Sequence, residues 1–395
     1  KALDAGGTVT VIPEADLAAW KERTQPVFDA WVKTVTDAGQ NGQAILDDAR
    51  AALAAARDWA KSRLIGGAPL AQRQGIQWML ADMAKLGARR FLLGPLAGIV
   101  VLMGFSLQVG YWLTLLLAIP AAFFLVRTFI LQHDCGHGSL FRSARANDWL
   151  GRVLAVLTMT PYGYWKREHA IHHATSGNLE KRGVGDITTL TVREYLALSR
   201  WGRLKYRMYR HPIVLFGIGP AFMFLVRHRI AIGEGVNDRT AWFSVLGTNA
   251  AILSGITVAS LIFGFTNVAM VWGPVVLLAA TIGIWMFYVQ HQFEGVQWHH
   301  EGEWDFHCSA LDGCSFYDLP RWLHWLTGYI GYHHVHHLSS KIPNYRLRDC
   351  HMSIPDLQRV RALGLWESLK TVSLALWDEE SRRMIRFCEL RTRMA

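Results

Sequence analysis

Four long apolar runs, arranged as two closely spaced pairs, restrict the fold of this chain more than any other feature. Phe91–Phe105 and Leu107–Val126 are separated by one residue, and Ala241–Phe263 is soon followed by Asn267–Val289. Backbone polar groups find no water inside a bilayer, so only helices and closed barrels can cross it. Each pair therefore predicts a transmembrane helical hairpin, with spans at about residues 91–105, 107–131, 241–263 and 267–289.

The composition agrees with a membrane protein that has sizeable aqueous parts. Among 395 residues, 51% are hydrophobic and only 18% are charged. The net charge of +10 does not indicate nucleic acid binding, because lysine and arginine flank the apolar runs and are absent from Phe105–Gly110 and Gly264–Val268. This asymmetry follows the positive-inside rule. We therefore expect a multi-pass protein of a cytoplasmic membrane, with its basic segments on the cytoplasmic side.

Three histidine-rich stretches follow these runs or lie between them. They read His133-Asp-Cys-Gly-His137, His169-Ala-Ile-His172-His173 and His333-His-Val-His336-His337. On a helix, residues three and four apart share a face, so the third stretch would direct His333, His336 and His337 into one arc. Neutral imidazoles that converge are typical ligands of first-row transition metals. The alternative for a single such stretch is an exposed histidine-rich tract that binds metal loosely.

The long second run carries the first histidine pair out of the membrane. At ~1.5 Å per residue, a helix from Tyr111 to His137 spans about 40 Å, roughly 10 Å more than the hydrocarbon core. We interpret Trp149–Trp165 and Ile213–Val226 as interfacial helices, because both are apolar but short or interrupted. The predicted fold is all-α: four transmembrane helices in two hairpins, interfacial helices, and a cytoplasmic helical cap that holds the metal site and ends in a charged helical tail.

Residues 1–90 differ from residues 91–395 and predict a separate helical extension without a catalytic role. Helical apolar spacing covers residues 14–35 and 43–64, with a break at Gly39–Gly42. The strings Val9-Thr-Val-Ile-Pro-Glu-Ala-Asp-Leu and Trp20-Lys-Glu-Arg-Thr-Gln-Pro-Val resemble the C-terminal tail of solute-binding proteins of tripartite ATP-independent transporters. The ligand-binding lobes of those proteins have no counterpart here. A fusion fragment and an ordinary helical extension are both open readings.

From about Phe91 to its C-terminus, the chain resembles the membrane-bound fatty acid desaturases. The strings that carry the resemblance are His-Asp-Cys-Gly-His-Gly-Ser-Leu-Phe (133–141), Arg-Glu-His-Ala-Ile-His-His (167–173) and Glu-Trp-Asp-Phe (303–306). Gly-Tyr-His-His-Val-His-His-Leu-Ser-Ser-Lys-Ile-Pro-Asn-Tyr (331–345) completes them. The best fit is the acyl-lipid branch with Δ12 (omega-6) members.

The resemblance implies two non-haem irons, dioxygen as oxidant, and a set of histidine ligands. Residue by residue, the ligands are expected at His133, His137, His169, His172, His173, His333, His336 and His337. A further ligand follows the last span, where His291 matches and competes with His307. We expect His291 to bind metal, since its helix fixes its direction, and His307 to act indirectly. Relatives with an asparagine one turn before that histidine differ from this chain, which has Phe287 there.

Groups that orient the imidazoles from outside are also expected. Carboxylates commonly accept the free ring N–H of metal-binding histidines. The candidates are Asp134, Glu168, Asp186, Asp305, His307 and His334. For each carboxylate alone, a surface salt bridge or helix cap is the competing role.

The predicted reaction is O₂-dependent formation of a cis double bond in the acyl chain of a membrane lipid. A hydroxylase, epoxygenase or acetylenase of the same superfamily would use the same ligands. A histidine-based metal transporter is disfavoured, because the spans almost lack ionisable residues. The sequence has no haem motif, dinucleotide fingerprint or cysteine set for an iron–sulfur cluster, so we expect an external donor such as a ferredoxin or a cytochrome b5-like protein. The basic residues Arg200, Arg203, Lys205, Arg207 and Arg210 could attract it or contact phospholipid.

Overall fold

The computed structural model describes two separate units of this chain, Lys1–Phe91 and Leu92–Ala395. The described residues are 14–37, 41–48, 50–51, 54, 64–65, 68–69, 93–231 and 238–394. In the first unit, Glu14–Asp37 is a helix that contains Pro26, and residues 42–48 are also helical. Leu64–Ile65 pairs antiparallel with Ala68–Pro69. Most of the helix predicted for residues 43–64, and the transporter-like residues 9–13, lie outside the described residues.

Three helices of the described residues are long and apolar enough to cross a membrane. They are Tyr111–His137, Arg239–Phe263 and Phe265–His291. The predicted first span forms a helix of only 14 residues, Leu93–Ser106, which is about 21 Å long and shorter than a hydrocarbon core of about 30 Å. A bent pair, Arg200–Tyr209 with Val214–Arg229, reaches span length only if its 58° bend is ignored. Four spans are therefore not confirmed.

Small residues allow the long helices to approach one another closely. Ala118, Ala121 and Ala122 of Tyr111–His137 share a buried cluster with Val275 and Ala279 of Phe265–His291. Small side chains at such contacts permit close backbone packing where lipid provides no hydrophobic driving force. Large apolar side chains on the outer surfaces, including those of Leu253, Leu261 and Phe263, are exposed, as expected for surfaces that face lipid.

Both histidine-bearing long helices end on the same side of the molecule. Tyr111–His137, hereafter the first-box helix, ends at His137. Arg239–Phe263 runs back toward Gly264, and Phe265–His291, hereafter the return helix, brings the chain to His291. The hydrogen bond between Ser106 Oγ and Thr114 Oγ1, 2.7 Å long, marks the turn at the opposite end of the first-box helix.

The predicted interfacial helix Trp149–Trp165 is wrong in its bounds. The structure has two helices, Ala144–Leu157 and Tyr162–Thr175, hereafter the second-box helix. Between them Met159 adopts a positive φ of 53°, and Pro161 cannot donate a helical hydrogen bond. The buried Gln132 side chain fixes the break, because its Oε1 accepts from Thr158 Oγ1 at 2.5 Å. The break lets the second-box helix start in a new direction.

The prediction of a purely helical cap is also wrong. Leu190–Thr191, Leu374–Asp378 and Arg383–Arg386 form a three-stranded sheet, and Phe316–Asp318 pairs in parallel with Ala362–Gly364. Every residue of Leu374–Asp378 is buried. A short apolar run of this kind has no periodicity that separates strand from helix. The predicted helical tail is limited to Phe387–Met394.

The other helices of the described residues are short and surround the histidine-bearing ends. They are Val192–Ala197, Arg200–Tyr209, Gly219–Leu225, Phe306–Asp312, Arg321–Leu326, His333–Leu338, Asn344–Ser353 and Leu365–Thr371. A π-helical turn, Val214–Ile218, precedes Gly219–Leu225, and Thr281 Oγ1 of the return helix donates to Phe216 O at 3.0 Å. The predicted interfacial segment Ile213–Val226 therefore packs along the return helix.

Candidate metal centre

The first-box helix presents His133 and His137 one turn apart at its C-terminal end. The helix stops at Gly138, whose φ of 63° lies in the left-handed region and suits glycine. With 27 residues it is about 40 Å long, which exceeds a bilayer core by about 10 Å. The two imidazoles can therefore lie beyond the hydrocarbon while the helix still spans it.

Close backbone packing brings the third histidine stretch to the others. The six-residue helix His333–Leu338, hereafter the third-box helix, holds His333, His336 and His337. A Cβ on Gly331, just before it, would lie 2.6 Å from Tyr317 O, so only glycine fits there. The second-box helix carries His169, His172 and His173, and His291 is the last residue of the return helix.

Five histidines form one cluster, hereafter the five-histidine cluster. Each member offers one ring nitrogen, and these five nitrogens all lie within 4.8 Å of one another. His173 Nε2 is 3.2 Å from His169 Nε2 and 3.0 Å from His336 Nε2. His133 and His336 are buried, whereas the other three members are half-buried. The members are His133, His137, His169, His173 and His336.

Four further histidines form a second group, hereafter the four-histidine cluster. His291, His333 and His337, together with the thiol of Cys314, lie close enough to share an ion, with 2.9 Å between His291 Nε2 and His333 Nε2. The ring of His172 joins them, with centroids 4.8 Å from His291 and 5.1 Å from His337. All four side chains are at least nine-tenths buried. The two clusters adjoin, since the rings of His173 and His337 stack at 4.1 Å.

The donor atoms fit metal ions. His137 Nε2, His172 Nε2 and His337 Nε2 are buried without a hydrogen-bond partner, and buried polar atoms are rarely left so. Two nitrogens that bind one ion at about 2.1 Å and right angles lie about 3.0 Å apart, which matches the nitrogen–nitrogen distances above. The nine imidazoles can thus hold two ions, with five nitrogens around one and four around the other.

Burial keeps the imidazoles in the neutral form that binds metal. Removal from water, reinforced by neighbouring imidazoles, lowers the pKa of five cluster members outside the long helices well below the ordinary 6.5. They are His169, His173, His333, His336 and His337. These side chains therefore present lone pairs, not protons, at neutral pH.

Two of the expected orienting carboxylates contact the histidine-bearing segments. Asp186 Oδ1 accepts from His172 Nδ1 at 2.5 Å, which leaves Nε2 of His172 directed to the four-histidine cluster. Asp134 Oδ2 accepts from the backbone N and the side-chain Nδ2 of Asn344 at 2.9 and 2.7 Å. It thereby ties the first-box helix to the segment after the third-box helix. Its Oδ1 lies 3.7 Å from His133 Nδ1, too far for a hydrogen bond.

The remaining expected orienting residues have other partners. Glu168 accepts from Tyr164 Oη at 2.8 Å and from Arg227 Nη2 at 3.0 Å. Asp305 is exposed and caps Phe306–Asp312 by accepting from Cys308 N. His307 is exposed and contacts the ring of Phe306. His334 is buried but lies 3.0 Å from His351 Nδ1. Glu168 and Asp305 therefore take the competing roles of salt bridge and helix cap.

Two further side chains contact the four-histidine cluster, and only Phe287 of the two had been singled out from the sequence. Cys314 is fully buried, and its Sγ lies 3.8 Å from His291 Nδ1. Only a long-range contact reveals it, since 22 residues intervene between Cys314 and His291. The ring of Phe287, one turn before His291, packs 5.1 Å from His172 and 4.9 Å from His291. The apolar ring of Phe287 therefore occupies the position at which some relatives have an asparagine.

An apolar cavity of about 350 Å³ leads from the membrane layer to both clusters. Its walls include Val276, Ala280 and Gly283 of the return helix, and His133 and His333 at the clusters. Val276 precedes His291 by 15 residues, or about 22 Å of helix. The volume lies within the range of small-molecule sites. The cavity suits a long, flexible apolar chain.

The basic stretch Arg200–Arg210 is largely engaged in internal contacts. Arg203 donates to Leu198 O at 3.1 Å, and Arg207 Nε donates to Tyr195 Oη at 2.6 Å. Arg210 is buried and donates to Leu374 O at 2.7 Å. Among the five basic residues of this stretch, only Arg200 and Lys205 are exposed. The five residues therefore do not form the continuous charged surface that the sequence suggested.

Comparisons with known proteins agree on the part of the chain that holds the clusters. The family model for fatty acid desaturases matches residues 110–365. A fatty acid desaturase of Bacillus subtilis (strain 168) is 45% identical over 293 residues, covering 74% of this chain and 83% of the relative. A Synechocystis protein named sn-1 oleoyl-lipid 12-desaturase is 27% identical over 237 residues, covering 59% of this chain and 65% of the relative.

A second Synechocystis relative bears the name sn-1 acyl-lipid omega-3 desaturase (ferredoxin). It is 27% identical over 234 residues, covering 56% of this chain and 61% of the relative. The chain thus spans most of the Bacillus relative but less than two thirds of the two cyanobacterial ones. All nine clustered histidines lie within the residues that the family model matches.

Proposed function

Because the chain belongs to the fatty acid desaturase family and is thus a fatty acid desaturase, we propose that it uses dioxygen and two non-haem irons to introduce a cis double bond into the acyl chain of a membrane lipid. The observation that carries this proposal is the meeting of two buried histidine clusters with one apolar cavity. A metal store or transporter needs no such cavity, whereas an acyl chain needs a dry channel that ends beside the oxidising centre.

We propose that the five-histidine cluster holds one iron and the four-histidine cluster holds the other. Bound there, iron supplies the one-electron and O₂ chemistry that an unactivated C–H bond requires. The protein's own residues provide the rest. Asp186 fixes the ring orientation of His172, as outer carboxylates do for metal-binding histidines. Phe287 and the apolar cavity walls exclude water and place the acyl carbons beside the clusters.

For the position of the double bond, we propose Δ12. The support is that a Synechocystis relative bears the name sn-1 oleoyl-lipid 12-desaturase. The cavity favours a substrate whose apolar end reaches toward Val276 and whose polar end stays near the clusters. An acyl group within a membrane lipid meets this requirement, because the cavity opens between helices that lie in the bilayer.

We further propose four spans in a bacterial cytoplasmic membrane, with the clusters on the cytoplasmic side. Leu93–Ser106 would be the fourth span, since Leu96 and Met103 are buried in the same cluster as the first-box helix. The turns at residues 107–110 and at Gly264 carry no lysine or arginine, which the positive-inside rule places away from the cytoplasm. Residues 1–90 lie outside the family match, and we assign them no catalytic role.

The test is product analysis in a bacterial host that is fed oleate. Expression of the chain should yield linoleate in membrane lipids, identified by mass spectrometry of derivatised fatty acids. A chain without residues 1–60 should give the same product and bind the same amount of iron. A hydroxylated or epoxidised product, or an unchanged lipid profile with iron bound, would contradict the proposal.

A further inference from the structure

The two clusters differ in their access to the protein surface. In the five-histidine cluster, His137, His169 and His173 are half-buried, whereas every histidine of the four-histidine cluster is buried. Electron transfer between proteins slows steeply with distance. A protein that delivers electrons therefore reaches the five-histidine cluster by the shorter path.

Two lysines stand at the end of the first-box helix, beside this accessible side. Lys341 Nζ donates to His137 O at 2.6 Å. Lys166 Nζ donates to Asp148 at 2.9 Å, and Tyr162 Oη connects Asp148 to Cys135 O. Cations at a helix C-terminus complement the helix dipole, and both lysines keep exposed surface.

The segments next to these lysines carry a net positive charge. Residues 138–148 contain two arginines and one aspartate, Asp148, and residues 339–349 contain one lysine, two arginines and one aspartate, Asp349, which lies 3.3 Å from Arg346. The two segments are neighbours, because Leu140, Phe141 and Tyr345 pack in one apolar cluster. We call their combined surface the basic edge. By contrast, residues 294–305 contain four carboxylates and neither lysine nor arginine.

The height of the basic edge favours a soluble partner over lipid headgroups. The first-box helix exceeds the hydrocarbon core by about 10 Å, and a headgroup layer is only about 5–7 Å thick on each side. Residues that follow His137 are therefore able to reach the aqueous phase. Positive charge in that position attracts an acidic protein by electrostatic steering.

We propose that the basic edge is the docking surface of an acidic one-electron carrier protein. This carrier would first reduce the iron held by the five-histidine cluster. The inference rests on the proposed function, because only a redox reaction needs such a carrier. Reduction of O₂ to two waters takes four electrons and four protons. Removal of two hydrogens from the acyl chain supplies two electrons and two protons, so two carrier molecules each give one electron and solvent gives two protons.

The experiment measures how fast the iron-loaded holoenzyme, reconstituted in phospholipid nanodiscs, oxidises a reduced acidic [2Fe–2S] ferredoxin. The variant Arg142→Glu/Arg145→Glu reverses two exposed charges of the basic edge. The matched control, Arg200→Glu/Lys205→Glu, reverses two exposed charges elsewhere. Lys341→Gln serves as a milder variant that keeps a hydrogen-bond donor for His137 O. Each variant is also reduced without oxygen by dithionite and a neutral mediator, freed of excess dithionite and then mixed with O₂ for a single turnover, and its iron content is measured.

The basic-edge variant should lose about tenfold in ferredoxin oxidation rate at low salt, and the difference should shrink at high salt. The control should change less than twofold, and the dithionite rate and iron content should not change. Equal effects in both double variants, or none in either, would overturn the docking surface. So would a variant whose only change is its dependence on the phosphatidylglycerol content of the nanodisc. If dithionite also fails to drive desaturation by the unaltered enzyme, the proposed function itself is refuted.

Discussion

The two histidine clusters draw on the same sequence motifs but have different surroundings. The five-histidine cluster combines all of the first box with parts of the other two, and three of its members are half-buried. The four-histidine cluster is sealed from solvent, and its rings contact Asp186, Phe287 and Cys314. A sequence motif and a metal site are therefore different units in this protein.

The spacing within each box decides which cluster a histidine joins. In the second box, the i,i+4 pair His169 and His173 belongs to one cluster and His172 to the other. In the third box, the i,i+4 pair His333 and His337 meets in one cluster, whereas His336 joins the other. The three histidines that were expected to share one arc of the third-box helix therefore contribute to both clusters. Helix geometry explains the division, because i,i+4 side chains align more closely than i,i+3 side chains.

The largest effect is expected when one imidazole is removed from the four-histidine cluster. We expect His291→Ala to bind one iron fewer per chain and to keep less than about 1% of the activity, since it removes one of the four imidazoles around that iron. Metal analysis and product quantification measure both effects. His307→Ala is the control, because His307 is exposed and outside both clusters. Iron loss in the His307 variant alone would reverse the two assignments.

The next largest effect concerns the carboxylate that distinguishes the sealed cluster. Asp186→Asn should weaken the binding of one iron by about 10–100-fold, because it removes the charge that orients His172. Titration with a metal chelator measures the affinity of each iron separately. Asp305→Asn, at an exposed helix cap, should leave both affinities unchanged. Equal weakening of both irons by Asp186→Asn would show that the clusters are not independent.

A smaller effect is expected at the thiol beside His291. Cys314→Ser keeps a polar contact for His291 Nδ1 and should retain nearly full iron binding. Cys314→Ala removes that contact and should weaken the iron of the four-histidine cluster by about tenfold, toward the low end for outer contacts. The Mössbauer signal of that iron should change in the alanine variant only. If both variants lose the iron completely, Cys314 is a direct ligand and not a positioning residue.

The smallest effect is expected in the pH dependence of the local stability of residues 176–189. Glu180, which lies 2.5 Å from His300, and Glu379 raise the pKa of His300 above its ordinary 6.5. Because the raised pKa favours protonated His300 in the folded state, this contact stabilises residues 176–189 at low pH and is lost as pH rises through that pKa. The protection of the backbone amides of residues 176–189 against hydrogen exchange, expressed relative to the intrinsic exchange rate at each pH, should be weaker at pH 9 than at pH 6. In His300→Gln, where this titration is absent, an unchanged difference would exclude His300 as its source.

Sequence patterns predicted the parts of this protein that depend on local periodicity. The three long apolar helices follow from run length, and spacing of three and four residues predicts which histidines share a helix face. The full set of nine histidines was expected from the family resemblance. The break at Met159–Pro161 and the buried strand Leu374–Asp378 do not follow from local patterns, since tertiary contacts select them over local preference. Spacing indicates which histidines of one box share a cluster, but the packing of four segments decides which boxes meet. Cys314 reaches His291 only through that same packing.

Neither histidine cluster can be complete until the ribosome has made the third box. Both clusters need it, because His336 completes one and His333 with His337 completes the other. His337 lies 204 residues after His133, so at about 5–20 residues per second a ribosome needs roughly 10–40 s to make the interval. During that time the first and second boxes supply four of the five histidines of one cluster but only His172 of the other. Both clusters are therefore completed late in the synthesis of the chain.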